Sequence, residues 1–409
     1  MTLDPNTPVP GLNADPSADA NFDLENSWKG DGPWVPGAQW LHGDVAPKNL
    51  VLHAAGPVRW DDTDVPALDI SITGRPSLLC DGQFLVVEAA AAALRMLPIP
   101  GGVSEPQQAF EEGLRGVFGP KVQVAHRASI HEAVTAAESL HPHPGRQSAV
   151  RLGGLPGHRA LQLPNPGVDE TPEAWLNRIE ILLEPLPNNP RDSSGVGVVL
   201  IAPYTLDPYM RPIPLEVAVP LTELAHERDI IVVADLRRWL PARGGSVSIG
   251  FNADVALLDG DVTSGLADIG CLVGNLPPGF NLGSVRPSDA AAAAEVLRQT
   301  REEDLCGRAH QVGASLHDKL EACTALDWVI SVEALGSFVT VAGQLPRDVL
   351  EWADRMRQDG LYTEIGSRGV TFALPVDTPA ELIDKVWQTA LVAAELMVAP
   401  PTGRPDDRS

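Results

Sequence analysis

The apolar positions change period along the chain. In GVGVVLIAP (195–203) they run almost without interruption and end at a proline, the pattern of a strand buried on both faces. In LEVAVPLTELAHERD (215–229) they recur at helical spacing, and IIVVAD (230–235) is a β-branched run that ends in an acid. Strand, helix and strand in this order predict a right-handed βαβ unit. DVALL (254–258) and IGCLVG (269–274) predict two more strands of the same sheet, so the middle of the chain is expected to be an α/β layer structure around a mostly parallel sheet. Ligands of such sheets sit at the carboxyl ends of the strands. That rule places Asp235 and the loop DGDVTSG (259–265) on the functional edge.

Further on, SDAAAAAEVLRQTREED (288–304) is a helix by propensity, with Ser288 or Asp289 available as its cap. A strand at SFVTVAG (337–343), a helix at DVLEWADRMRQ (348–358), a strand at GVTFALP (369–375) and a last helix opened by the capping box Thr378 to Glu381 follow. These short alternating elements predict a smaller C-terminal α+β domain. With 409 residues the chain has room for more than one core.

The net charge of −24 argues against a nucleic-acid groove or an anionic membrane surface, both of which need a basic face. No apolar run approaches the roughly 20 residues that span a bilayer, and the first residues lack the pattern of an export signal. A cytoplasmic protein is expected. Cys80, Cys271, Cys306 and Cys323 are scattered without metal-ligand spacing, so no metal site is expected. Only five of the 30 basic residues are lysine (29, 48, 121, 319 and 385), which leaves few candidates for an amine nucleophile.

WLHGDVAPKNLVL (40–52), followed by VRWDDTD (58–64), is similar to the catalytic and metal-binding segments of aminoglycoside-phosphotransferase-like kinases. That similarity implies Asp44 as base, with Asn49 and Asp61 or Asp62 on Mg²⁺. A kinase needs a nucleotide lobe ahead of this loop, and the 41 residues before His42 have the composition of a mobile arm and no glycine-rich loop. The segment is read as a kinase-fusion remnant or a coincidence.

VRWDDTDVPALD (58–69), SIHEAVTAAESL (129–140), GGLPGH (153–158), IAPY (201–204), ADLRRWLPARGG (234–245), NADVALLDGDVTSGLADIGCLVG (252–274) and RPSDAAAAAEVL (286–297) form an ordered series. In that order they resemble the motif segments of the class III aminotransferases, fold-type I enzymes that use pyridoxal phosphate. Asp61, Asp69, Asp235, Arg243, Gly245, Asp254, Gly265 and Gly270 keep their places, and the likeness covers about residues 55 to 380. It implies a large α/β domain with a mostly parallel, seven-stranded type of sheet and a smaller C-terminal α+β domain. The expected divisions are a flexible arm at 1–36, an N-terminal segment of the small domain at 37–80, the large domain at 81–290, the C-terminal small domain at 291–400 and a tail at 401–409.

The resemblance also implies a chemistry that these residues do not match. The family's lysine forms an imine with the cofactor aldehyde and later shuttles the proton. Its place falls at Gly260, next to Asp261. The phosphate-binding Gly-Ser turn becomes Ile130-His131, the aromatic-histidine pair that stacks on the pyridine becomes Leu155-Pro156, and Ala202, Leu236 and Leu282 replace two glutamates and a threonine. Thr371 stands where an arginine is common, with Arg368 close by. Asp235, the partner of the pyridine nitrogen, is kept, either as a vestige of cofactor binding or paired locally with Arg237, Arg238 or Arg243.

A pseudoenzyme without cofactor, pyridoxal phosphate being the ancestral one, is therefore expected: a homodimer, or a heterodimer with an active relative, that binds a partner or small molecule through the old cleft. The alternative is an enzyme that reuses the cleft for cofactor-free acid/base chemistry, with His131 and His158 facing Asp259, Asp261 and Asp268, and Arg237, Arg238 and Arg243 as substrate-binding candidates. A transaminase with a remote lysine is the third reading.

Overall fold

The structure is a computed structural model that describes residues 51–398 apart from 56–57, 62–65, 71–77, 80–82, 97–101, 142–145, 147, 156–158, 167–169, 184–194, 207–208, 264–265 and 268, with side chains within 78–397. The arm, the tail, the loop around Asp44, Cys80, His158 and Asp268 lie outside the described residues.

The apolar runs form one seven-stranded sheet from β4 (Gln123–Arg127), β5 (Ser148–Leu152), β6 (Leu161–Gln162), β7 (Val196–Ile201), β10 (Ile231–Asp235), β11 (Val255–Leu258) and β12 (Gly270–Gly274). Their order is β4-β12-β11-β10-β7-β5-β6. All are parallel except β12, which runs antiparallel to both of its neighbours. Every residue of β7, β11 and β12 is buried, as strands covered on both faces require.

Helices supply the cover: α1 (Phe84–Ala93), α2 (Glu105–Phe118), α3 (Ile130–Glu138), α4 (Pro172–Leu183), α5 (Leu215–Glu227), the short α6 (Trp239–Ala242) and α7 (Pro287–Glu302). Trp175 and Ile179 of α4 and Val217 and Leu221 of α5 pack on Val199, Ile201 and Val232. On the opposite face Ala133, Val134 and Ala137 of α3 pack on Leu200, Val233 and Leu257. Gly270 permits this approach, since a Cβ there would stand 2.3 Å from that of Ala133.

A second seven-stranded sheet joins the two ends of the described chain. It contains β1 (Val51–Ala55), β2 (Val58–Asp61), β3 (Pro66–Ile70), β13 (Val329–Leu335), β14 (Phe338–Gly343), β15 (Leu361–Ile365) and β16 (Gly369–Ala373), in the order β1-β2-β3-β15-β16-β14-β13. Only the β3–β15 pair is parallel. α8 (Leu305–Leu320), α9 (Pro346–Gln358) and α10 (Ala380–Val398) cover it, with Leu316, Trp352, Met356 and Ala390 against Val339, Val341 and Phe372. A two-stranded ribbon of β8 (Tyr204–Thr205) and β9 (Arg211–Pro212) follows β7.

Two expected helix starts are corrected. α7 has Arg286 as its N-cap without a side-chain bond, because Pro287 occupies the first helical position and Asp289 instead accepts from Arg286 Nε at 2.7 Å. The Thr378 hydroxyl donates back to the Pro375 carbonyl at 2.7 Å, and the first turn of α10 is bonded to the Pro379 carbonyl. No described helix is long and apolar enough to cross a membrane.

Candidate functional site

The carboxyl edge of the parallel sheet is organised around Asp235, the last residue of β10 and 0% exposed. Its carboxylate takes a two-point contact from Arg237 two residues on, Nη2 to Oδ2 at 2.6 Å and Nε to Oδ1 at 2.8 Å. The Arg237 amide donates to Oδ1 as well, at 3.3 Å. A chain that returns on itself this tightly needs an unusual next residue, and Arg238 is left-handed with φ 68°. Tyr204, fully buried on β8, donates its hydroxyl to the Arg237 carbonyl at 2.5 Å, while Arg237 Nη2 also reaches the Leu155 carbonyl at 3.3 Å.

A second arginine arrives through the sheet. Arg151 on β5 shares a row with Leu200 on β7 and Val233 on β10, and Asp235 lies two residues beyond Val233 on the same face. Its Nη2 donates to the Gly153 carbonyl at 3.2 Å and lies 3.4 Å from Asp235 Oδ2. Ala202 lies between them, two residues on from Leu200, and its small side chain leaves the crossing open. Gly154, with φ 66°, closes the top: a Cβ there would meet Ala202 Cβ at 2.5 Å and both Arg151 Nη2 and Asp235 Oδ2 at 3.3 Å.

Burial raises the pKa of an isolated carboxyl, but Arg237, followed by Arg151, outweighs it and holds Asp235 below the ordinary carboxylate range. Burial pulls the Arg151 guanidinium down to about 10 although Asp235 opposes the shift.

Gly260 and Asp261, where the resemblance implies the lysine's place, lie in a 3₁₀ turn after β11. Asp261 is buried and accepts from the Arg238 amide and from Arg238 Nη1, both at 3.3 Å, while its own amide donates to Asp259 at 3.2 Å. Burial, then the charge of Asp259, push its carboxyl well above the ordinary range, and Arg238 at that distance does not offset them. Asp261 also borders a cavity of about 10 Å³, walled otherwise by side chains such as Leu240, Leu258, Val262 and Leu297, which is room for about one water.

The remaining candidates stand apart. His131 is exposed in the first turn of α3, and the Ser129 hydroxyl caps that helix by accepting from the Glu132 amide at 3.2 Å. Arg243 lies over the Trp239 ring at 5.6 Å. Thr371 shares a 2.9 Å hydrogen bond with Thr340, and Arg368 donates to the Gln344 carbonyl at 2.6 Å. Of the described lysines, Lys121 lies in the turn before β4, Lys319 pairs with Asp384 at 2.8 Å and Lys385 is exposed on α10. Among the described residues no group of three His, Cys, Asp or Glu side chains could hold a metal.

Superposition on solved structures places this geometry in a known frame. The chain aligns with ornithine δ-aminotransferase of Plasmodium falciparum (TM-score 0.68, 18% identity, 87% of this chain and 95% of that one). It aligns likewise with the ω-transferase of Vibrio fluvialis JS17 (0.69, 17%, 85% and 98%) and with a transaminase described as co-factor free (0.70, 16%, 85% and 98%). The chain has the fold-type I aminotransferase fold. Neither the family models nor the curated protein sequences give a match.

In this aminotransferase fold two features escaped sequence reasoning. Arg151 was hidden inside the run SAVRL, where a charge in a short apolar strand was the available signal. The other is a chain from Glu111 Oε1 to His126 Nε2 (3.2 Å) and from His126 Nδ1 to Cys271 Sγ (3.6 Å), joining α2, β4 and β12. Its members are far apart in sequence, and only the strand order brings them together.

Substitutions at the two buried carboxylates test the electrostatics. Asp235→Asn leaves two buried guanidinium groups facing a neutral amide and is expected to lower unfolding stability at neutral pH by on the order of 3–5 kcal/mol in urea titrations; adding Arg237→Met to it should recover part of that loss. Asp261 has the opposite sign. Its raised pKa means that the folded state holds a proton the unfolded chain has lost once pH exceeds about 4, so stability falls as pH rises through that window. Asp261→Asn should therefore raise the urea midpoint at about pH 8 and leave it near wild type at about pH 3.5; a midpoint below wild type at both values would contradict the assignment.

Proposed function

We propose that this chain is an aminotransferase-fold protein that works without pyridoxal phosphate, a pseudoenzyme whose former cofactor edge serves binding and association. The observation that carries the reading is the Asp235–Arg237 pair. Both carboxylate oxygens that would meet a pyridinium nitrogen are engaged by the chain's own guanidinium, and Gly154 lies against Asp235 Oδ2. Three further features agree with it. Gly260-Asp261 offers no amine, Ile130-His131 stands in place of the Gly-Ser phosphate turn, and Leu155 contributes its backbone carbonyl to Arg237 in place of a stacking ring. The residues present do not fit the cofactor.

A second reading keeps an enzyme in the same cleft. Asp261, whose carboxyl burial and the charge of Asp259 push well above the ordinary range and which stands beside a small cavity, is the group that could donate a proton without a cofactor.

Association is proposed on a different surface. α1 is apolar apart from Glu88 and, with the following Leu94, leaves Phe84 and Leu94 about 70% exposed and Leu85 and Val87 partly exposed. A face of this kind on a soluble protein marks an interface, and a dimer with a second copy or an active relative would cover it.

Purified protein is expected to be colourless, to show no imine absorbance after addition of pyridoxal phosphate, and to form no adduct on borohydride reduction; a reduced lysyl adduct would overturn the reading. Sedimentation should show a dimer that Phe84→Asp with Leu94→Glu converts to monomer, whereas a wild-type monomer would remove α1 as a self-association face.

A further inference from the structure

The outer face of α1 and of the turn that closes it carries two charges among its apolar residues, Glu88 and Arg95. At about 3.6 residues per turn, the buried Val86 and Ala93 fix the inward side, and Phe84, Glu88, Ala91 and Arg95 form the line turned farthest from it. The Leu94 amide donates to the Ala90 carbonyl at 3.1 Å and the Met96 amide to the Ala93 carbonyl at 2.9 Å, so Arg95 continues the helical path. All four residues of that line are exposed, with Val87 and Leu94 on one flank and Leu85 and Met96 on the other. The helix beneath is anchored: Gln83 caps it by accepting from the Val86 amide at 2.9 Å and donates to Gln299 on α7 at 3.3 Å, while Val86 and Ala90 pack on Ala292 and Val296.

Glu88 and Arg95 lie about 10 Å apart along the axis, beyond the three- or four-residue spacing at which charges on a helix meet each other. Neither has an ion-pair partner among the described residues. Their arrangement is complementary to itself. Under a two-fold axis that meets the face midway between them, at the exposed Ala91 and Ala92, a second copy presents arginine to Glu88 and glutamate to Arg95, the reciprocity that an isologous contact requires. Small side chains at the midpoint let two helices approach closely, and the same operation sets Val87 opposite the partner's Met96. A parallel pair would instead set glutamate on glutamate and arginine on arginine, so charge selects the antiparallel sense.

We propose that α1 pairs antiparallel with α1 of a second copy of this chain, Glu88 of each protomer bridging to the partner's Arg95. This rests on the association proposed for the α1 face and commits it to one occupant and one orientation. A single pair of short helices covers an area at the small end of specific interfaces, so the association is expected in the micromolar range and follows protein concentration. Its apolar flanks supply the attraction, and the two ion pairs decide which way the helices run.

The test follows sedimentation of the full chain at low salt. Glu88→Arg and Arg95→Glu should each weaken self-association by about 10-fold, since either reversal makes both charge contacts of the dimer repulsive. An equimolar mixture of the two variants should recover wild-type association, because the arginines of one then meet the glutamates of the other. The double variant should associate with itself like wild type and fail to join wild type. Recovery by mixing cannot come from a variant that does not fold. Single variants that associate like wild type overturn the proposal, as does a mixture or a double variant no stronger than the singles. A wild-type chain that stays monomeric up to about 100 µM overturns it too, since the face is then left to a different protein. The readings fail separately: a dimer lost in Phe84→Asp with Leu94→Glu but unaltered in both charge variants keeps the α1 face and removes the antiparallel pairing alone. A pyridoxal phosphate adduct removes the cofactor-free reading and leaves the pairing untouched.

Discussion

A carboxylate at the dry end of a parallel strand is the constraint on which this edge depends. Asp235 has no water to lean on, and an isolated charge there would cost several kcal/mol, so it must either be protonated or meet a cation. Arg237 meets it from two residues away. That short return has structural consequences, because it requires the left-handed Arg238, brings the Arg237 carbonyl to the Tyr204 hydroxyl and draws the Leu155 carbonyl inward. Arg238, turned by the same bend, then presents its amide and guanidinium to Asp261. The ends of β5, β7, β10 and β11 are thus connected through one carboxylate and its successors.

How much of this could be read in the sequence depended on whether the information was local. Strands such as GVGVVLIAP and IIVVAD were legible because burial on both faces leaves an uninterrupted apolar run. The alternatives for Asp235 could be narrowed to Arg237, Arg238 and Arg243, since all lie within eight residues of it. The helix starts were misread because capping is a competition: Pro287 needs no side-chain cap, and Thr378 found a nearer acceptor in Pro375. The resemblance assigned residues 37–80 to the small domain, but nothing local in β1 to β3 announces their pairing with the sheet of β13 to β16, since the joining pair β3–β15 links residues almost 300 apart. Arg151 was invisible for a related reason: its meaning depends on which strands lie between β5 and β10.

The Glu111–His126–Cys271 chain shows why geometry alone does not make a site. An acid, an imidazole and a thiol stand in the order used for nucleophilic catalysis. Burial, however, pushes the Cys271 thiol up to about 12, with the charge of Glu111 acting in the same direction, and burial also lowers the His126 pKa despite its acidic partner. A thiol so held is not a nucleophile at neutral pH. The trio is a polar cross-link between α2, β4 and β12, and its parts are satisfied by one another.

The edge around Asp235 differs in that nitrogens of Arg151, Arg238 and Trp239 lie buried there without an acceptor among the described residues. On the proposed reading two charges have changed owner. Next to the place of the amine, which falls at Gly260, stands Asp261, an anion or its conjugate acid, and at the place of the pyridinium stands Arg237, a cation that belongs to the chain. The first change removes the group that could capture an aldehyde; the second removes the need for a cationic ring to neutralise Asp235. Restoring a lysine at Gly260 alone would therefore not restore the older chemistry, because Arg237 would still occupy the carboxylate and Gly154 would still lie on top of it.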